Sequence, residues 1–238
     1  MEPQNCQKLY EFVMKHPIKN VLDLGTGIGL SASVVALALK DKGEKDFRID
    51  SLEQFDKCVS LANDVIPQPL RTNINIFKSK STLWKDDKVP YQYFSVYEYE
   101  GNKLLHDENS KLAYDLIVND GPSFWAESDK LLDFPNGTIN KMLKEGKLKA
   151  GTFIVFDGRV ESLRLLERYY ADNFWMYQLA DKGGDFNVLE AKDGEAKFKD
   201  FRLEFIKTST FFKEYAKNTI SRTEQGPPSP PTTPFKGA

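Results

Sequence analysis

The stretch Val21-Leu22-Asp23-Leu24-Gly25-Thr26-Gly27-Ile28-Gly29-Leu30-Ser31 constrains the fold of this chain more than any other. Val21, Leu22 and Leu24 make a short apolar run bounded by turn residues, the pattern of a strand buried inside a parallel sheet. Three glycines at alternate positions let the backbone turn sharply and let a ligand approach closely. Ser33 to Lys40, mostly Val, Ala and Leu, then predicts a helix packed on the sheet. A strand, a glycine turn and a helix form the opening unit of an α/β fold. The helix N-terminus offers unpaired N–H groups and a positive dipole end to an anionic or polar ligand.

The chain is 238 residues long, enough for one sizeable α/β domain. Its net charge of −2 gives no general electrostatic case for nucleic acid. The local basic runs Lys78 to Lys80 and Lys141 to Lys149 read as solvated faces. Cys6 and Cys58 are the only cysteines and make neither a disulfide framework nor a zinc pattern. A reducing, cytoplasmic setting is expected from that usage. Met1 to Lys8 is polar and has no apolar signal core, and no stretch approaches the ~18 apolar residues of a membrane helix.

Taken in order, Gln4 to Lys15 has apolar residues at helical spacing and predicts a lead-in helix, over 1–17, that His16-Pro17 ends. His16 reads as a helix-end residue. Phe47 to Glu53 alternates as a second strand, Phe55 to Val65 reads as a helix, and Asn73 to Phe77 as a third strand. Ser79 to Leu112 is irregular and rich in aromatics. Tyr91 to Tyr99 suggests an extended segment in a hairpin with Lys103-Leu104-Leu105. Leu116 to Val118 is a buried strand, and Asn119-Asp120-Gly121-Pro122 a tight turn at its end. Ser123 to Asp133, with Trp125, is expected to form a flap over a pocket. Asn140 to Lys147 and Glu161 to Asp172 read as helices, and Thr152 to Gly158 as a strand between them. Trp175 to Leu179 predicts a sixth strand, Asn187 to Glu190 a short strand or turn, and Asp200 to Lys207 the last strand. Residues 18–222 form the expected domain. From 223 to 238 the chain is proline-rich and is expected to be disordered or polyproline II.

The ligand follows from the glycine spacing and the acids. A dinucleotide fingerprint runs Gly-x-Gly-x-x-Gly, and here Leu30 stands where its third glycine would be. Glu53 ends the second strand 28 residues after Gly25, where a carboxylate accepts hydrogen bonds from ribose hydroxyls in adenosine-binding folds. Asp120 and Asp157 both fall at carboxyl ends of predicted strands, where open α/β sheets bind their ligands.

The acid-x-Gly-x-Gly-x-Gly run at Asp23 to Gly29, the acid at Glu53 and the Asp120-Gly121-Pro122 turn together resemble the class I, Rossmann-like S-adenosylmethionine (AdoMet) methyltransferases of the small-molecule O-directed type. The resemblance covers about Ile18 to Lys207 and is most specific at the glycine loop. It implies a seven-stranded, mostly parallel sheet with helices on both faces and an antiparallel last strand. It implies AdoMet held by Asp23, Gly25, Thr26, Gly27, Gly29, Glu53, Gln54 and Asp120, with Phe55 bordering the adenine. The acceptor it implies is a hydroxyl of a small molecule, a sugar or other polyol. Asp120 and Asp157 are the candidate catalytic acids and, together, candidate Mg²⁺ ligands. The catechol-type enzymes carry a second ligand after the fifth strand, where this chain has Gly158. Arg159 and Trp125 are candidate substrate contacts. Two other readings stay open. One is an AdoMet-binding regulatory module without turnover; the other is an NAD(P)-dependent enzyme. Oligomeric state is not readable from these motifs.

Overall fold

The computed structural model describes residues 3–89, 93–122, 134–177 and 186–196. Two compact units divide the chain, residues 1–199 and 200–238, and every described residue lies in the first. The elements of that unit run in the order helix α1 (Pro3–Lys15), β1 (Asn20–Leu24), α2 (Leu30–Asp41), β2 (Arg48–Glu53), α3 (Asp56–Val65), α4 (Gln68–Arg71), β3 (Ile74–Lys78), β4 (Ser81–Lys85), β5 (Tyr93–Tyr97), β6 (Leu116–Asn119), α5 (Thr138–Lys144), β7 (Phe153–Asp157), α6 (Val160–Tyr170), β8 (Phe174–Tyr177) and β9 (Phe186–Ala191).

Seven strands form one sheet in the order β3-β2-β1-β6-β7-β9-β8. Strands β3, β2, β1, β6 and β7 are parallel neighbours. Strand β9 runs antiparallel to both β7 and β8, so it alone opposes the others. Alternate residues of the strands feed two separate cores. Val21, Ile49, Leu116, Val118 and Val155 pack against α1, α2 and α3 through Leu9, Val35 and Ala62. Leu22, Leu24, Ile117, Ile154 and Phe156 pack on the opposite face with Phe94, Met142 and Leu166. Covering both faces is what a parallel sheet requires, and it explains why β1 reads as a continuous apolar run.

The seven-stranded, mostly parallel sheet with an antiparallel strand is the expected one, and two details within it differ. The antiparallel strand is β9, over residues whose sequence suggests only a short strand or turn. It lies between two neighbours and is buried on both sides, which blurs its alternation. The stretch Asp200 to Lys207, predicted as the last strand, lies outside the described residues, as do Trp125 with the predicted flap and the tail 223–238. The aromatic strand β5 pairs with β4, not with Lys103–Leu105. Trp84 stands directly opposite Phe94, their rings 5.8 Å apart, and such cross-strand aromatic pairs select the partner. Leu105 turns instead toward Ala113, whose N–H it accepts at 2.9 Å. His16 stacks on Phe12 with ring centroids 4.1 Å apart, in keeping with its place at the helix end.

Candidate active site

The sheet register builds the site. Leu24 is paired with Leu52 on one side and with Asn119 on the other, and Asn119 is paired with Phe156. The next residues of these four strands are Gly25, Glu53, Asp120 and Asp157. They form one row at the carboxyl edge of adjacent strands, where spacing is about 4.8 Å per strand. The three acids of this row, with Asp23 two residues before Gly25, come within electrostatic reach although they are far apart in sequence. Asp23 is raised in pKa by Asp120 and Glu53, and Asp120 by Asp157, in each case after the larger effect of burial.

The glycine loop is held from beneath. Asp23 is completely buried, and its carboxyl accepts hydrogen bonds from Ser31 Oγ at 2.8 Å and Ser51 Oγ at 2.6 Å. Thr26 Oγ1 lies 2.6 Å from Ser51 Oγ, so one network ties β1, β2 and the start of α2 together. Burial pushes the Asp23 carboxyl up to about 7. Thr26, within the loop, is also buried.

Glu53 closes the loop from above. Its Oε2 accepts the Gly27 N–H at 2.8 Å, and its Oε1 accepts the N–H groups of Gln54 at 2.7 Å and Phe55 at 2.9 Å. A carboxylate offers about four lone-pair positions, so three are in use and about one remains for a ligand. The carboxylate therefore shapes the loop, a duty the sequence does not suggest. Phe55 is exposed beside it.

Gly25 and Gly121 bring the turns after β1 and β6 together. A Cβ on Gly25, where φ is +105°, would lie 2.8 Å from Gly121 N. Gly29, with φ +82°, starts α2 against Ile66, which a Cβ would meet at 2.6 Å. Among the described residues, a Cβ on Gly27 would meet nothing within 4 Å, so the middle of the loop borders space that those residues leave open. Asn136 latches the second turn by donating to Asn119 Oδ1 at 2.8 Å and to the Gly121 carbonyl. The Gly121–Pro122 peptide is cis.

Each catalytic candidate has a protein partner. Arg159 donates from Nε to the Asp120 carbonyl at 2.9 Å, and the same nitrogen lies 3.4 Å from Asp120 Oδ1. Burial raises the Asp120 carboxyl, and Arg159 opposes that rise. Asp157 Oδ1 accepts a 2.6 Å hydrogen bond from the amide of Asn5, a buried residue of α1. Among the described residues, no group of three or more His, Cys, Asp or Glu is placed to hold a metal ion. Sequence reasoning missed Asn5, Ser31, Ser51 and Asn136. Ser51 alone had a local signal, since its place in the alternation of β2 puts it on the same side of the strand as Glu53.

No protein-family model and no curated protein matches the chain. Its fold is similar to that of an O-methyltransferase from Bacillus cereus in complex with SAH, at 17% identity, over 81% of this chain and 82% of that one, with a TM-score of 0.54. It is similar, too, to the O-methyltransferase TomG from Streptomyces achromogenes, involved in tomaymycin synthesis and solved in complex with SAM. There the identity is 15%, the coverage 82% and 81%, and the TM-score 0.50. At these identities the likeness concerns the fold alone: a Rossmann-like, mostly parallel seven-stranded sheet.

Proposed function

We propose that this protein transfers a methyl group from AdoMet to a hydroxyl of a small molecule, a sugar or another polyol. The observation that carries the reading is the row Gly25, Glu53, Asp120 and Asp157 at one sheet edge, with Arg159 as the cation beside it. Such a site carries more negative than positive charge. It favours a ligand with a sulfonium and an ammonium group, and it opposes the pyrophosphate of NAD(P). Open space at Gly27 and a remaining acceptor position on Glu53 fit an adenosine lying over the loop.

AdoMet supplies the methyl group on a positively charged sulfur, ready for in-line displacement. Glu53 and the loop orient the adenosine half. Asp120, with its proton affinity raised by burial, accepts the hydroxyl proton of the acceptor. Arg159 fixes the turn that carries Asp120. Asn5 holds the Asp157 carboxyl in one orientation at the acceptor side.

A resident Mg²⁺ does not fit these residues. A guanidinium already stands beside Asp120, and one oxygen of Asp157 is spent on the Asn5 amide. Gly158 supplies no side chain where a further ligand would be needed. We read the reaction as one that uses the protein's own charges.

A calorimetric titration with S-adenosylhomocysteine, with NADH as control, tests the cofactor. Micromolar binding of the first, no binding of the second, and at least tenfold weaker binding by Glu53→Ala are expected. A preference for NADH would overturn the reading. With binding established, loss of methyl transfer by Asp120→Ala, at a donor affinity within about threefold of the original, would identify the base.

A further inference from the structure

Tyr97 belongs to none of the motifs above. It ends β5, and its side chain is almost wholly buried. Its backbone N–H donates to Thr138 Oγ1 at 3.2 Å, which fixes this end of the hairpin against the start of α5. The phenol oxygen reaches the junction of the two glycine turns. A Cβ on Gly121 would lie 2.8 Å from Tyr97 Oη and 2.9 Å from Gly25 Cα. Among the described residues that hydroxyl makes no hydrogen bond. Glu53 and Asp23, from β2 and β1, and Arg159 and Asp120, from the turns beyond β7 and β6, all act on it electrostatically. Burial, reinforced by the acids, holds its pKa well above the ordinary value, so the group stays an O–H.

We infer that the Tyr97 hydroxyl contacts the sulfur end of the methyl donor, between the adenosine side at Glu53 and the acceptor side at Asp120. This rests on the methyl-transfer reading above. A donor that spans from Glu53 to Asp120 crosses the Gly25–Gly121 junction with its sulfur, because sulfur joins the adenosine to the group that is transferred. A hydroxyl oxygen at that junction turns a lone pair toward positive charge. AdoMet offers that charge, and S-adenosylhomocysteine, with a neutral sulfur, does not. Tyr97 is thus a donor-selective binding residue contributed by the hairpin.

The test is a calorimetric titration of the full chain and of Tyr97→Phe with AdoMet and with S-adenosylhomocysteine, next to thermal melting of both ligand-free proteins. AdoMet is expected to bind the variant about tenfold more weakly, while S-adenosylhomocysteine changes by less than about twofold. The ligand-free variant should melt at an unchanged temperature, since among the described residues the hydroxyl makes no hydrogen bond. Equal AdoMet affinity in the two proteins would overturn the assignment. So would equal weakening toward both compounds, or a lowered melting temperature, which would mark a structural hydroxyl. If the unaltered protein binds neither compound, the methyl-transfer reading falls and this inference with it. The other three outcomes strike Tyr97 alone.

Discussion

Asp23 is an acid kept entirely from water, and two serine hydroxyls are its compensation. Burial raises its pKa from 3.8 to about 7. Between those values the folded protein keeps a proton that the unfolded chain has lost. Its contribution to stability is therefore full below about pH 4 and is lost as the pH rises to about 7. Asp23→Asn removes this titration. Urea unfolding at about pH 4.5 and about pH 7.5 should show a smaller loss of stability with rising pH in the variant than in the parent. An unaltered slope would mean that Asp23 is ionised in the folded state throughout. Asp23 was visible in the sequence as the acid of the motif. Its partners were not, because Ser51 becomes its neighbour only through the β1–β2 register that pairs the two residues.

Among the elements, the turns after β1 and β6 matter most, because each is glycine where the other approaches. Gly25 has φ +105° and backbone 2.8 Å from where its Cβ would be, whereas Gly27 has φ +52° and open space. Both alanine variants incur left-handed strain of about 1–2 kcal/mol, but only Gly25→Ala also forces the two turns apart. Urea unfolding should place Gly25→Ala at least about 1 kcal/mol below Gly27→Ala, with weaker binding of S-adenosylhomocysteine. Equal stability of the two would show that the contact with Gly121 does not require glycine. The strands themselves were legible: β1, β2, β6 and β7 fall where apolar runs end in an acid or a glycine. The partner of β5 was not, since both Trp84 and Leu104 offered an apolar neighbour and only packing distinguishes them.

For the whole molecule, the site is assembled from positions that span most of the described chain. Asn5 and Asp157 are 152 residues apart in sequence and share a 2.6 Å hydrogen bond. Helix α1 thereby reaches the row of strand tips and is more than a lead-in. The charge balance of the assembled edge gives a further expectation. With Arg159 beside Asp120, methyl transfer should persist after treatment with EDTA, and added Mg²⁺ should not raise kcat. Loss of activity in EDTA that Mg²⁺ restores would show that a metal displaces Arg159 during turnover.

The sequence by itself determined the βα unit, the glycine turn and the acids at strand ends, because these depend on local backbone freedom and on short apolar runs. Those features were enough to set the fold class and to nominate Glu53, Asp120 and Asp157. The tertiary structure alone decided what each acid touches. Parallel pairing set four strand tips level and brought four carboxyls into one field. It buried Asp23, bound Glu53 to the loop, gave Asp120 an arginine and Asp157 an amide, and set the Tyr97 hydroxyl at the Gly25–Gly121 junction. Long-range contacts carry no local periodicity, so their partners are fixed only when the sheet closes into register.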